Sequence, residues 1–143
     1  MAITKKQEKK NIFETKDGIV NYPAGDFLIR VKNAALARRK EVVVQRTKLV
    51  EAIAKALSKQ GYLDEVKKQE DKIIVSLKYR RKEPVLLGMK LISRPGLRVY
   101  TGVEDLEKRR KPSTLLISSP KGIISGKEAI KARLGGEAIV EVW

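Results

Sequence analysis

The chain reads as an α+β fold in two small, tightly packed domains. The first runs α-β-α-β-β, and the second is mostly antiparallel β with one short helix. Three observations carry that reading. Two stretches, from Pro23 and from Thr47, repeat apolar residues at the three-to-four spacing of a helix with one buried face. Several later stretches alternate apolar and polar residues, the period of a half-buried strand. Between these halves, Arg80-Arg81-Lys82 followed by Pro84 interrupts both periods and marks a boundary.

Residues 1–21 are a basic N-terminal extension, with Lys5, Lys6, Lys9 and Lys10 close together, and are expected to be flexible. The first domain spans 22–82. Pro23 suits a first helical turn with Asn21 as cap, and Phe27, Val31, Ala34 and Ala35 then mark one apolar face. Val42-Val43-Val44 is a short β-branched strand. Thr47 caps a second helix whose buried face is read as Leu49, Ile53, Ala56 and Leu57, and Gly61 ends it. Tyr62–Val66 and Lys72–Tyr79 follow as strands. In the latter, Ile73, Val75, Leu77 and Tyr79 alternate with Ile74, Ser76 and Lys78.

The second domain spans 83–143. Val85–Ile92 reads as a strand. Arg94-Pro95-Gly96-Leu97 fits a type II turn, with proline setting one φ and glycine taking the positive one. Leu97–Tyr100 leaves that turn as a strand. Val103–Pro112 is charged and reads as a loop or a single helical turn. Its Glu104, Asp105 and Glu107 are expected to pair with Arg109 and Arg110 in solvent, at little energetic consequence. Leu115-Leu116-Ile117 then leads into Ser118-Ser119-Pro120-Lys121-Gly122. Ser125 and Glu128 form a capping box for a short helix with Ala129, Ile130 and Leu134 inward. Gly135-Gly136 stops that helix, and Glu137–Trp143 is the final strand.

Composition narrows the function. Lys and Arg number 32 against 17 Asp and Glu, a formal charge of +15 over 143 residues. A polyanion is the natural partner, because every phosphate neutralised releases condensed counterions. Cysteine is absent, which excludes disulfides, thiolate metal sites and a cysteine nucleophile; histidine is absent too, which removes the commonest proton shuttle. Apolar runs are far too short for a membrane span, and no secretory signal opens the chain, so a cytosolic protein is expected. Gly122-Ile123-Ile124-Ser125-Gly126-Lys127 fails as a phosphate loop: its glycines are too close, and Glu128 stands where a hydroxyl must reach magnesium. No cofactor and no metal site are expected.

The hydroxyl turn is the strongest candidate site. Ser118 and Ser119 can exchange hydrogen bonds with ribose, phosphate and base edges. Lys121 adds a point charge, and Gly122 lets backbone approach backbone. The same residues are also good turn formers, and spacing alone leaves the two readings level. Aromatics make up 5% of the chain, which favours structured RNA read by shape over a single strand read by stacking.

Four ordered motifs carry a resemblance. They are Tyr22-Pro23 with Asp26–Ala34; Thr47-Lys48-Leu49 with Ala52-Ile53-Ala54 and Gly61-Tyr62; Ser93–Tyr100; and Ser118–Gly122 with Leu134–Glu137. Across residues 22–143 the chain resembles the ribosomal protein S8 family of the small subunit. The resemblance implies a structural, non-catalytic protein that binds the central domain of small-subunit ribosomal RNA and helps assemble the subunit platform. It also implies neighbouring small-subunit proteins as partners and, in some relatives, the protein's own messenger RNA. The family's serine-threonine-serine loop maps to Ser118, Ser119 and Pro120. Ser119 keeps the threonine hydroxyl without its methyl, and Pro120 removes a hydroxyl and an amide donor. The expected RNA contact centres on Ser118, Ser119, Lys121 and Gly122. Arg94, Pro95, Gly96, Tyr100, Gly135, Gly136 and Glu137 flank it, and Arg30, Asn33 and Lys48 meet phosphates from the first domain. Three rival readings stay open here: a free RNA-binding translational repressor, an enzyme acting on nucleic acid with the carboxylates as metal ligands, and a free basic adaptor whose partner is an acidic protein.

Overall fold

The computed structural model describes residues 22–143. Helix α1 (Pro23–Leu36) begins with proline in its first turn, where a missing N–H costs nothing. Tyr22 is its N-cap residue and makes no side-chain cap bond, while the expected cap Asn21 lies outside the described residues. Phe27, Leu28 and Val31 are fully buried. Strand β1 (Glu41–Gln45) alternates in burial, with Val42 and Val44 inward. Helix α2 (Lys48–Lys59) is capped by the Thr47 hydroxyl, which accepts from the Val50 amide at 3.0 Å. It closes at Gly61 (φ +90), where the Gly61 and Tyr62 amides donate back to Ser58 and Leu57.

The buried stripe of α2 is Val50, Ile53, Ala54, Ala56 and Leu57, so the expected inward Leu49 is corrected: it is 42% exposed. Val50, Ile53, Ala54 and Leu57 fall at i, i+3, i+4 and i+7, and Leu49 sits about a quarter turn off the centre of that stripe. Strands β2 (Leu63–Gln69) and β3 (Lys72–Leu77) complete an antiparallel sheet in the order β1-β3-β2. The short pair β4 (Tyr79–Arg80) and β5 (Glu83–Pro84) makes the turn into the second half.

There the strands are shorter than alternation suggests. Only β6 (Met89–Leu91) forms within the expected Val85–Ile92 strand. Val85 donates its amide to Lys78, while the Leu87 and Gly88 amides both donate to Trp143, so this backbone is split between two partners. Likewise only β7 (Tyr100–Thr101) remains of Leu97–Tyr100. The buried Ser93 hydroxyl takes the Val99 amide at 2.9 Å, so a side chain replaces a ladder bond there. Of the two readings for Val103–Pro112, a loop or a single helical turn, the helical one holds and runs longer, as helix α3 (Val103–Lys108), so the second half holds two helices. Glu104 and Asp105 in its first turn and Lys108 in its last favour it, and Leu106 is buried beneath it. The expected ion pairs within this segment do not form. Arg109 reaches Glu141 at 2.8 Å instead, and Glu107 lies 3.9 Å from Arg133.

Strands β8 (Thr114–Ser119) and β9 (Gly122–Ser125), helix α4 (Gly126–Ala132) and strand β10 (Gly136–Val142) finish the chain. The capping box forms in full: Ser125 Oγ accepts from the Glu128 amide (3.2 Å), and Glu128 accepts from the Ser125 amide (3.1 Å). Gly135-Gly136 does not stop α4, as was expected. Arg133, in the left-handed region at φ 59, closes it, with the Leu134 amide bonded to Ala129. The second sheet runs β6-β10-β8-β9, with β7 also on β10.

The two sheets share one core. Leu116, Ile139, Val140 and Val142 pack with Phe27, Leu28, Ile53, Leu57, Ile73 and Val75 from the first half. Leu115 and Ile117, on the opposite face of β8, join Leu106, Ala129 and Ala138 in a smaller cluster under α3 and α4. Among the described residues no helix is long and apolar enough to cross a membrane.

Candidate nucleic-acid interface

The hydroxyl turn is a tight hairpin between β8 and β9. Pro120 and Lys121 form its tip, and Ser119 pairs with Gly122. Lys121 keeps a negative φ while Gly122 takes +112, so the sharp correction falls on the residue without a Cβ. Ser119 holds the turn together. Its hydroxyl donates to the Gly122 carbonyl (2.9 Å) and accepts from the Lys121 amide (3.2 Å). The Ser118 hydroxyl has no side-chain bond among the described residues, and both serines are half-buried. Lys121 is exposed at the tip.

Sheet register brings the other candidates alongside. Glu137 on β10 is opposite Ser118 on one side and Tyr100 of β7 on the other. A single row therefore crosses three strands, Ser118 to Glu137 to Tyr100, and Tyr100 is 72% exposed at its end. Gly135 and Gly136 make this row possible. A Cβ on Gly135 would lie 2.6 Å from the Thr101 carbonyl oxygen, and one on Gly136 would collide with that of Ser118. Their role is close approach of three backbones.

A carboxylate at the middle of the row would repel phosphate if unpaired. Arg98 removes that objection by holding Glu137 at 3.1 Å. The pairing raises the guanidinium pKa further above its ordinary range. The same Arg98 lies 5.5 Å from the centroid of the Tyr22 ring, a cation–π contact that brings the start of α1 against the corner. Burial raises the Tyr22 phenol pKa, against the opposing field of Arg98. Neither Arg98 nor Tyr22 was among the residues singled out by sequence. Both stood inside quoted motifs, but a contact across so many residues has no local signature.

The Arg94–Leu97 turn closes on itself, with amides and carbonyls of the two end residues exchanging bonds at 2.9 Å and Gly96 at φ +83. Arg94, Pro95 and Gly96 are exposed, and the loop is fastened to β10 where the Ala138 amide donates to Val99. The first-half candidates stand apart. Arg30 and Asn33 line a groove between α1 and β1, and Lys48 stands at the first turn of α2. All three are exposed, and Arg30 is paired with Asp26 at 2.9 Å. Among the described residues no hydrogen bond or ion pair links them to the hydroxyl corner.

The described residues thus bring hydroxyls, cations and close backbone approach to one corner, and comparison with known proteins gives the family. The model of the family described as "Ribosomal protein S8" matches residues 22–143. The chain belongs to this family. "Small ribosomal subunit protein uS8" of Nitratidesulfovibrio vulgaris (strain DSM 19637 / Miyazaki F) is 40% identical over 122 residues, covering 85% of this chain and 97% of that protein. The protein of the same name from Roseiflexus castenholzii is 38% identical, covering 87% and 98%. That from Persephonella marina is 35% identical, covering 87% and 100%. S8 proteins are structural ribosomal proteins, not enzymes, so the enzyme reading is set aside.

Proposed function

We propose that this chain is a structural constituent of the small ribosomal subunit that binds the central domain of its RNA directly and helps build the subunit platform. Membership of the S8 family and the relatives' name, small ribosomal subunit protein, support the first part. The row across β8, β10 and β7 carries the second. Ser118 offers a hydroxyl with no side-chain bond among the described residues, Tyr100 an exposed ring, and the glycines a close backbone approach, with Glu137 neutralised in their midst. Phosphate contacts from Lys121 and from Arg94, Arg30 and Lys48 supply affinity, and the hydroxyl corner selects the RNA fold. Asn33 joins Arg30 at the flank. In this reading 22–82 and 83–143 act as two domains, with 1–21 as a basic extension. The protein works in the cytoplasm, on the ribosome, beside neighbouring small-subunit proteins. A surface that reads shape also accepts the chain's own messenger RNA wherever that RNA folds alike.

The test is binding of the purified chain to a central-domain fragment of small-subunit ribosomal RNA and to an arbitrary duplex, at near-physiological salt. Preference for the fragment by about a hundredfold or more is expected. Equal affinity for the two RNAs would refute the reading.

A further inference from the structure

We propose that the free edge of β1 is a docking site for an extended acidic segment of another polypeptide, which adds to the sheet as a further strand. Among the described residues β1 pairs with β3 alone, which leaves its other edge without a strand partner there. Two bonds at its ends fix which groups face outward. The Leu77 amide donates to the Lys40 carbonyl at 2.9 Å, and the Arg46 amide to the Asp71 carbonyl at 2.8 Å. In an antiparallel ladder, residues that bond the partner strand alternate with those that do not. Lys40, Val42, Val44 and Arg46 therefore face β3. Glu41, Val43 and Gln45 turn their N–H and C=O groups outward, at a spacing of roughly 7 Å.

Free edges are commonly blunted by proline, a bulge or an inward charge. β1 has none of these: its register with β3 is unbroken, and the middle outward residue is Val43, 47% exposed. Beside the edge runs a groove of about 430 Å³ lined by Ala34, Ala37, Arg39 and Val43, with Arg30 and Asn33 at its side. Such a groove can take alternate side chains of an added strand while the main chain supplies the bonds. Arg39 and Lys40 are exposed and make no ion pair among the described residues, against a single lining carboxylate, Glu41. An acidic strand matches that balance.

The rival occupant is an RNA backbone, since Arg30 and Asn33 are assigned above to phosphate. The edge itself argues against it. Phosphate oxygens suit the outward amides but repel the outward carbonyls, and ribose 2′-hydroxyls do not present the paired donor and acceptor at every second residue, roughly 7 Å apart, that an added strand does. A polypeptide satisfies both.

The test follows amide exchange of residues 41–45 in the full chain with four additions: nothing, a synthetic alternating valine–glutamate peptide, the same peptide with lysine for glutamate, and the ribosomal RNA fragment. The amides of Glu41, Val43 and Gln45 are expected to slow by about tenfold or more with the acidic peptide only. Slowing with the RNA instead, equal slowing with the lysine peptide, or no slowing would each overturn the inference. Val43→Pro removes the central outward donor without touching a β1–β3 bond, and Arg39→Glu reverses the groove charge. Both should abolish the slowing, and slowing that survives either overturns the inference. Should Val43→Pro fold poorly, Arg39→Glu decides. RNA affinity read in the same samples reports on the hydroxyl corner separately, so failure of one proposal is distinguishable from failure of the other.

Discussion

Ser118 and Ser119 are adjacent hydroxyls with different freedoms. Ser119 spends its proton on Gly122 and one lone pair on Lys121, so toward RNA it can only accept. Phosphate also only accepts, so in the proposed contact the donor is assigned to Ser118. Ser118→Ala is expected to weaken specific RNA binding by about 1 kcal/mol with no change in melting temperature. Ser119→Ala should weaken it by about 1–2 kcal/mol and also speed exchange of the Lys121 amide, because the turn itself loosens. Filter binding and amide exchange on both variants check this. The sequence could name both serines but left turn-building and recognition level, because a serine's partner depends on where its hydroxyl points. The glycines were legible in the same partial way. Gly135-Gly136 looked like a helix stop, yet what selects them is the Thr101 and Ser118 carbonyls on other strands. Gly136→Ala should therefore cost about 3 kcal/mol or more in stability, far above an ordinary helix-end substitution. Chemical denaturation measures it.

Elements whose signals are local were legible from sequence. The Thr47 cap, the Gly61 terminus, the Ser125–Glu128 capping box and the Arg94–Leu97 turn each depend on residues within a few positions of one another. Elements decided by distant partners were not, and the truncation of Val85–Ile92 follows from amides claimed by Trp143. Helix α2 carries a further feature invisible to periodicity, the buried Glu51. Its carboxylate meets Lys55 (2.9 Å), Arg46 (3.0 Å) and Lys68 (3.2 Å), tying the helix to the residue after β1 and to β2, the two edge strands of its sheet. Hydrogen bonds from Lys55, then Arg46 and Lys68, lower its pKa from 4.5 to about 2. A depressed carboxyl stabilises the fold above its unfolded pKa and loses that contribution as pH falls through the folded one. Between about pH 4.5 and 2 the unfolded chain binds the extra proton, so stability should decline across that window. Glu51→Gln should be less stable at neutral pH, and its stability should fall less steeply through the same window. Thermal melts of both proteins at a series of pH values read this directly.

At the scale of the whole molecule, the two halves are joined by a common core and by polar ties. Glu128 on α4 holds Lys59 (2.6 Å) and Gln60 (3.3 Å) at the end of α2, and Tyr62 meets Thr114 at 3.2 Å. The Lys59 ammonium and the Ser125 amide lower the Glu128 pKa, as expected of a carboxylate engaged on both sides. With Leu116 and Val140 packed among residues of α1 and α2, neither half buries its apolar face alone. Such a molecule holds the hydroxyl corner and the α1 cations at a fixed distance, which a shape-reading interface requires. Affinity and selection should then separate cleanly. Each lysine or arginine that meets a phosphate contributes to the salt dependence, while a hydroxyl contact does not. Lys121→Ala is expected to weaken both central-domain and arbitrary RNA and to lower the slope of log affinity against log salt by about one contact's worth, roughly 0.9 for a duplex. Ser118→Ala should leave that slope unchanged and lose affinity for the central-domain fragment alone. Titrations at four or five salt concentrations with both RNAs distinguish the two. A Ser118 variant that loses both affinities equally would assign recognition to some other part of the surface.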